Sequence, residues 1–210
     1  MFPNRGGGHP LQFVASATNG PQVPEHLSVP SSRFLLTLPL DNEVVNSLNS
    51  GIKFVADIML KKLARWMRIL GYDTIYPDFI EDERILELAK SKRRILLTQD
   101  VGLASRAGKK EVRTLLIPRD VDVESQVAFV LRELKLSVDF PAKTLCPQCN
   151  GELEVVGKER VRGNENVPAG VLERNSSFWL CKSCKKVYWE GSHWGRIKKA
   201  VEKIKKELAD

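Results

Sequence analysis

The chain predicts an α/β fold: a parallel sheet flanked by helices, followed by a small C-terminal module and a tail helix. From Ile52 onward, short apolar runs of strand length alternate with amphipathic stretches of helical period. That is the pattern of parallel strands buried on both faces. The four cysteines all fall after residue 145, in two Cys-x-x-Cys pairs, which sets the last third of the chain apart. A chain of 210 residues with 42% hydrophobic content suffices for one ordinary domain and a small second one.

Residues 1–51 hold Gly6-Gly7-Gly8, six of the eleven prolines and few charges. No period survives there, so the expectation is a flexible or weakly ordered extension, with Arg33 to Leu40 a candidate short strand. Ile52 to Ala56 is the first strand of the α/β unit and ends at Asp57. The next helix places Leu60, Leu63, Ala64, Met67 and Leu70 on one face and Lys61, Lys62, Arg65 and Arg68 on the other, with Gly71 as its left-handed cap. Trp66 is expected to pack inward. Thr74 to Tyr76 is a second strand, and Asp82 is placed to cap a helix carrying Ile85, Leu86, Leu88 and Ala89. Arg94 to Thr98 is the third strand, closing at Asp100. A helix over Val101 to Ala107 leads to the strand Val112 to Ile117, which Pro118 stops. The last helix of the unit buries Val127, Val130, Leu131 and Leu134. The expected units are an α/β domain over 52–140 and a cysteine module with a basic tail helix over 141–210, the tail carrying Ile197, Val201, Ile204 and Leu208.

Cys146-Pro-Gln-Cys149 and Cys181-Lys-Ser-Cys184 supply four thiolates, enough to close a tetrahedral zinc site. Asn150-Gly151 is a hairpin turn signal, so each pair fits a knuckle and the module is expected to be a zinc ribbon. The gap between the pairs is long for such a template, and an inserted loop around 164–168 absorbs it at small entropic cost. Two disulfides need an oxidising compartment. The first residues show no apolar stretch of signal type, and Phe34 to Leu38 is too short to span a bilayer, so a cytoplasmic setting is expected. A net charge of +7 and a pI near 9.3 lean toward a polyanionic partner.

In open parallel sheets, sites lie beyond the carboxyl ends of the strands. Asp57 and Asp100 occupy that position, and Asp82, beside Asp78, Glu81 and Glu83, heads the helix after the second strand. Three carboxylates brought together need a cation, and their hard oxygens suit Mg²⁺ or Mn²⁺. Such ions activate water for attack on a phosphodiester. Helix capping is the competing role for each Asp taken singly. Past residue 51, His193 is the one histidine, so a two-histidine ribonuclease mechanism is excluded. Neither G-x-x-x-x-G-K-[ST] nor a G-x-G-x-x-G after a strand is present, against nucleotide-driven and hydride-transfer chemistry.

Phe54-Val55-Ala56-Asp57-Ile58-Met59-Leu60, Leu63-Ala64-Arg65-Trp66-Met67-Arg68 and Leu70-Gly71-Tyr72-Asp73-Thr74 resemble the opening of the PIN-like RNase domain found at the C-terminus of Mut-seven-type exonucleases. Arg94 to Asp100 is similar to that family's third-strand motif. Cys146 to Gly151, Cys181, Cys184 and Val187 to Trp194 continue the pattern, so the resemblance covers about residues 53–200. It implies a PIN-like sheet and a nuclease that cuts RNA with three or four carboxylates and Mg²⁺ or Mn²⁺. Asp57 and Asp100 match the first and third acids and Asp82 the one heading the second helix, with Glu81 or Glu83 as alternatives. Gln99 stands where the family more typically has Arg. Asp120 and Asp122 are candidates for a fourth acid, with capping the competing role.

The resemblance thus implies a ribonuclease, a metal-dependent hydrolase, whose ribbon assists RNA binding. The rival is a non-catalytic RNA- or ribosome-binding adaptor on the same fold. Candidate RNA contacts are Arg65 and Arg68 on the first helix and Lys185, Lys186, Trp189, His193 and Trp194 in the ribbon, where cations and aromatics mix. Those aromatics can equally form the core of a small module with little else to bury.

Overall fold

The computed structural model describes residues 51–78 and 81–209. The expected extension, with its candidate strand Arg33 to Leu40, lies outside the described residues. Four short strands, β1 (Phe54–Ala56), β2 (Thr74–Ile75), β3 (Ile95–Thr98) and β4 (Thr114–Leu116), form a parallel sheet in the order β2-β1-β3-β4. Each strand is shorter than the apolar run that predicts it, because pairing with neighbours stops before the run does.

Side-chain alternation along the strands builds two cores. Phe54, Ala56, Leu97 and Leu115 face α1 (Lys61–Ile69) and α4 (Val123–Glu133), packing on Leu63, Met67, Val127 and Leu131. Val55 and Leu96 face α2 (Asp82–Ser91) and α3 (Val101–Lys109), packing on Ile85, Leu86, Leu103 and Ala107. The expected inward face of α1 is buried in full, and Trp66 is half-buried against the same core. Each large apolar side chain so buried stabilises the fold by about 2 kcal/mol. Gly71 closes α1 with φ +90°, and a Cβ there would meet the Lys143 carbonyl oxygen at 2.7 Å, so both the backbone and the neighbouring chain require glycine.

The ribbon is an antiparallel sheet of β5 (Leu153–Gly157), β6 (Ser177–Cys181) and β7 (Val187–Tyr188). Between β5 and β6 the expected inserted loop contains two short helices, α5 (Lys158–Val161) and α6 (Ala169–Arg174). The insertion contributes to a separate small core of Val156, Val161, Val167, Phe178 and Val187. The final helix, α7 (Trp194–Ala209), departs from its sequence grouping with the ribbon. Val201 and Ile204 are buried in the core that α1 and α4 share, so α7 packs as a further helix of the α/β layer.

Asp122 caps α4, accepting from Ser125 N at 2.9 Å, and pairs with Lys203 of α7. The Lys203 ammonium first, then the cap N–H, hold its carboxyl at about 2. A lowered folded pKa stabilises the native state above the unfolded carboxyl's value of about 4, and that contribution is lost as pH falls from there toward 2. In acid titrations followed by far-UV circular dichroism, the stability advantage of the wild-type chain over Asp122→Asn is expected to disappear across that window. Asp122 thus has a capping and docking role, while Asp120 is exposed at φ +58° in the turn before it.

Candidate active site and metal centre

Asp57 follows β1 and its backbone N–H still pairs with Leu97 O at 2.9 Å, which fixes it at the carboxyl edge of the sheet. Its Oδ1 accepts from Ile58 N at 2.6 Å and its Oδ2 from the Thr98 hydroxyl at 2.7 Å. Asp100 follows β3 and caps α3, its Oδ1 accepting from Leu103 N at 2.8 Å. The Asp100 N–H donates to Thr98 Oγ1 at 3.0 Å. The fully buried Thr98 hydroxyl therefore links the two acids, giving to one side chain and receiving from the other residue's backbone. Among the described residues, Asp100 Oδ2 has no hydrogen bond. Capping accounts for one oxygen of each acid and leaves the Thr98 link and that free oxygen to be explained.

The third acid is placed differently from expectation. The helix it was to cap has Glu81 at the N-cap position, and Asp82 is its first helical residue. Asp82 is exposed and forms an ion pair with Arg106 of α3, Glu83 pairs with Lys110, and Asp78 lies 3.6 Å from Lys61 Nζ. Cations thus pair with three of the four acids of this cluster, Asp78, Asp82 and Glu83. Among the described residues, the one group of three or more Cys, His, Asp or Glu side chains close enough to share an ion is the four cysteines. The structure joins Asp57 to Asp100 and does not bring Asp82 to them.

Around this edge lie groups that local sequence patterns do not mark. Arg119, just after β4, donates to the Gln99 carbonyl at 2.6 Å, and Gln99 Nε2 donates to Pro118 O at 2.8 Å. An arginine therefore stands beside the position where the family motif more typically carries one. Tyr76 donates to Ile58 O at 2.8 Å, with Lys61 Nζ 5.7 Å from its ring centroid. An open groove of about 740 Å³ lies between α1 and the start of α4, lined by Lys61, Lys62, Arg65 and Gln99 and also by Asp122 and Glu124, with Asp57 and Asp100 outside its lining. Ile58, Met59, Val101 and Val121, between 44% and 64% exposed, stand around the carboxyl ends of the strands.

Cys146, Cys149, Cys181 and Cys184 place their sulfurs within 4.8 Å of one another, with Sγ–Sγ separations of 3.7 Å (Cys146–Cys184) and 3.5 Å (Cys149–Cys181). Four thiolates about 2.3 Å from one ion would stand at such separations, so the donor set fits tetrahedral zinc. Burial pushes the Cys184 thiol up to about 12, while N–H groups and neighbouring thiols outweigh burial at Cys149 and bring it to about 7. Four crowded thiols resist joint deprotonation without a cation. The Tyr188 hydroxyl lies 3.1 Å from Cys146 Sγ, and Cys184 N donates to Cys181 Sγ at 3.4 Å, the kind of outer contact that orients metal ligands. The first knuckle turns through Asn150 at φ +68°, and a Cβ on Gly151 would come within 2.5 Å of Ser183 Oγ on the second.

Arg68 corrects a sequence expectation. It is 5% exposed and does not face solvent: Nε donates to Thr74 O at 2.8 Å, and Nη1 to Pro147 O and Gln148 O, both at 3.1 Å. The first knuckle docks on this face of α1, a long-range event that helical periodicity does not encode. Burial lowers the guanidinium pKa, opposed by the nearby thiols of Cys146 and Cys149. Asn150 completes the joint, donating to Asp73 Oδ1 at 2.6 Å and accepting from Thr74 N at 2.9 Å. Arg68→Met is expected to cost about 3 kcal/mol, since it strands buried carbonyls, and denaturant unfolding measures this as a lower midpoint. The other candidate contacts divide. Arg65 and Lys185 are exposed, while Lys186, Trp189, His193 and Trp194 line a common cavity at the ribbon's base.

The structure thus joins a parallel α/β layer, with two acids at its carboxyl edge, to a four-cysteine ribbon. The Mut7-C RNAse domain profile matches residues 52–201, and the chain belongs to that family. A ribonuclease-type function, with RNA as the substrate class, follows from that membership. No curated protein and no solved structure matches the chain. No helix among the described residues is long and apolar enough to cross a membrane.

Proposed function

We propose that the chain is a divalent-metal-dependent ribonuclease whose zinc ribbon assists RNA binding. The observation that carries this reading is the Asp57–Thr98–Asp100 link at the carboxyl edge of the sheet, with one carboxylate oxygen left without a hydrogen bond. The donors are all hard oxygens, which suit Mg²⁺ or Mn²⁺. Asp57 and Asp100 would hold the ion, with Asp82 joining from the head of α2 once released by Arg106. When bound, the ion supplies an activated water and neutralises charge on the phosphodiester.

The remaining work falls to the protein. Thr98 fixes the orientation of Asp57, and the N–H groups of Ile58 and Leu103 hold one oxygen of each acid in place. Lys61, Lys62 and Arg65 offer phosphate contacts along the groove, and Arg119 offers one beside Gln99. Ile58, Met59, Val101 and Val121 present an aliphatic rim to base faces. In this reading the nuclease unit is 52–140, and the ribbon unit begins at 141 with α7 returning to the first. Cytoplasmic reducing conditions keep the thiols available for zinc.

The pairing of Asp82 with Arg106 favours the rival adaptor reading, since it withholds one acid. Incubating the purified chain with labelled single-stranded and structured RNAs, with Mn²⁺ and with EDTA, separates the two. Cleavage that requires the added ion is expected; RNA binding with no cleavage under any metal condition would establish the adaptor.

A further inference from the structure

Where the base of the ribbon meets the end of α1 and the head of α7, a cavity of about 300 Å³ opens to solvent. Its walls include Phe140, Trp179, Tyr188, Trp189 and Trp194. Trp179 and Trp194 stack at 5.3 Å and 20°, and Phe140 leans on Trp194 at 5.4 Å. The ribbon has its own aliphatic core around Phe178, so Trp179 and Trp194 are not needed to fill it. They instead form a ring platform at the joint between the two layers.

The volume lies at the small end of ligand pockets, about 300–1,000 Å³. That suits a single ring system better than a peptide or an acyl chain. The polar groups present point the same way. Lys186 and His193 stand in the lining, and Arg196 Nη2 lies 3.4 Å from His193 Nδ1. Exposed Lys198 and Lys199 follow on α7. Cations beside aromatic faces match a flat base attached to a phosphate, and a neutral apolar ligand would leave them unused.

We propose that this cavity binds one unpaired nucleobase of the RNA, held against the aromatic walls that Trp189 and Trp194 contribute, with Lys186 and Arg196 meeting its phosphate. The inference rests on the ribonuclease reading and adds to it a base-holding site outside the carboxylate edge. Bases beyond the cut would be gripped by the ribbon, which gives the zinc module a defined part in substrate binding.

The test is saturable quenching of tryptophan fluorescence by nucleoside 5′-monophosphates, using the full-length zinc-loaded chain and ribose 5-phosphate as the baseless control. Monophosphates are expected to quench and ribose 5-phosphate not to. Trp194→Leu should weaken binding by about tenfold or more, through loss of one aromatic wall and of the platform it forms with Trp179. Lys186→Ala, at an exposed position that does not threaten the fold, should weaken monophosphate binding severalfold and leave the unphosphorylated nucleoside unaffected. Zinc content and circular dichroism certify that each variant is folded. Absence of saturable quenching at millimolar nucleotide, equal binding of ribose 5-phosphate, or unchanged affinity in both variants would overturn the proposal. Asp57→Asn should bind nucleotides normally. Nucleotide binding without any RNA cleavage would therefore count against the nuclease reading alone, and cleavage without nucleotide binding against the base pocket alone.

Discussion

Replacing Asp57 by asparagine is expected to lower RNA cleavage at least about a thousandfold while leaving the chain folded and zinc-loaded. The size follows from removing a negative charge where a divalent ion is to be held. Folding survives because the asparagine oxygen can still accept from Ile58 N, and its amide can donate to Thr98 Oγ1, which already accepts from Asp100 N. Thr98→Val breaks the link without removing an acid, and a smaller fall of about 10–100-fold is expected, the usual cost of losing a partner that orients a metal ligand. Single-turnover cleavage at saturating Mn²⁺ measures both. Equal rates for Asp57→Asn and the wild-type chain would remove Asp57 from the chemistry.

Stripping zinc, or substituting Cys181 by serine, is expected to unfold the ribbon over residues 145–189 and spare the parallel sheet. Structural zinc in small modules supplies about 10–16 kcal/mol of apparent binding energy near neutral pH, as much as or more than the roughly 10 kcal/mol that burying the five side chains of the ribbon core contributes before chain entropy is subtracted. The ligands also close the joint, since Arg68 grips the carbonyls of Pro147 and Gln148 between the first two cysteines. Loss of metal should therefore release the knuckle from α1 and disturb the Trp179–Trp194 stack, whereas α7 stays on α4 through Val201 and Ile204. Hydrogen exchange reads this directly: fast exchange in β5 to β7 with retained protection in β1 and β3. Uniform loss of protection would mean that the two layers fold as one unit.

Much of the α/β layer was legible because its signals are local. The face of α1, the Gly71 cap, the inward residues of α4 and the strand ends at Asp57 and Asp100 follow from period and punctuation within a few residues. The cysteine cluster was legible because two Cys-x-x-Cys pairs carry the ligand spacing of a four-thiolate site within a few residues. Arg68 was misplaced because a helix with arginines three residues apart looks solvated until a distant segment covers it. Asp82 was expected to converge because Arg106, its partner, lies 24 residues away and carries no local mark of pairing. Half of the Thr98 link is local, since a hydroxyl residue two positions before a capping acid is a hydrogen-bond motif, whereas its reach to Asp57 depends on the pairing of β1 with β3. The docking of α7 on α4 could not be read from a lysine-rich helix that shows which face is apolar and not what it meets.

In the proposed mechanism Asp57 and Asp100 together hold the divalent ion on which cleavage depends. The most direct measurement is the initial rate of cleavage of one labelled RNA against Mn²⁺ concentration, with the wild-type chain and Asp100→Asn side by side at equal zinc content. A rate that rises saturably from zero in the wild type, with the half-saturating concentration in Asp100→Asn at least about tenfold higher, is the predicted result. Cleavage that persists in EDTA, or superimposable curves for the two chains, would contradict it.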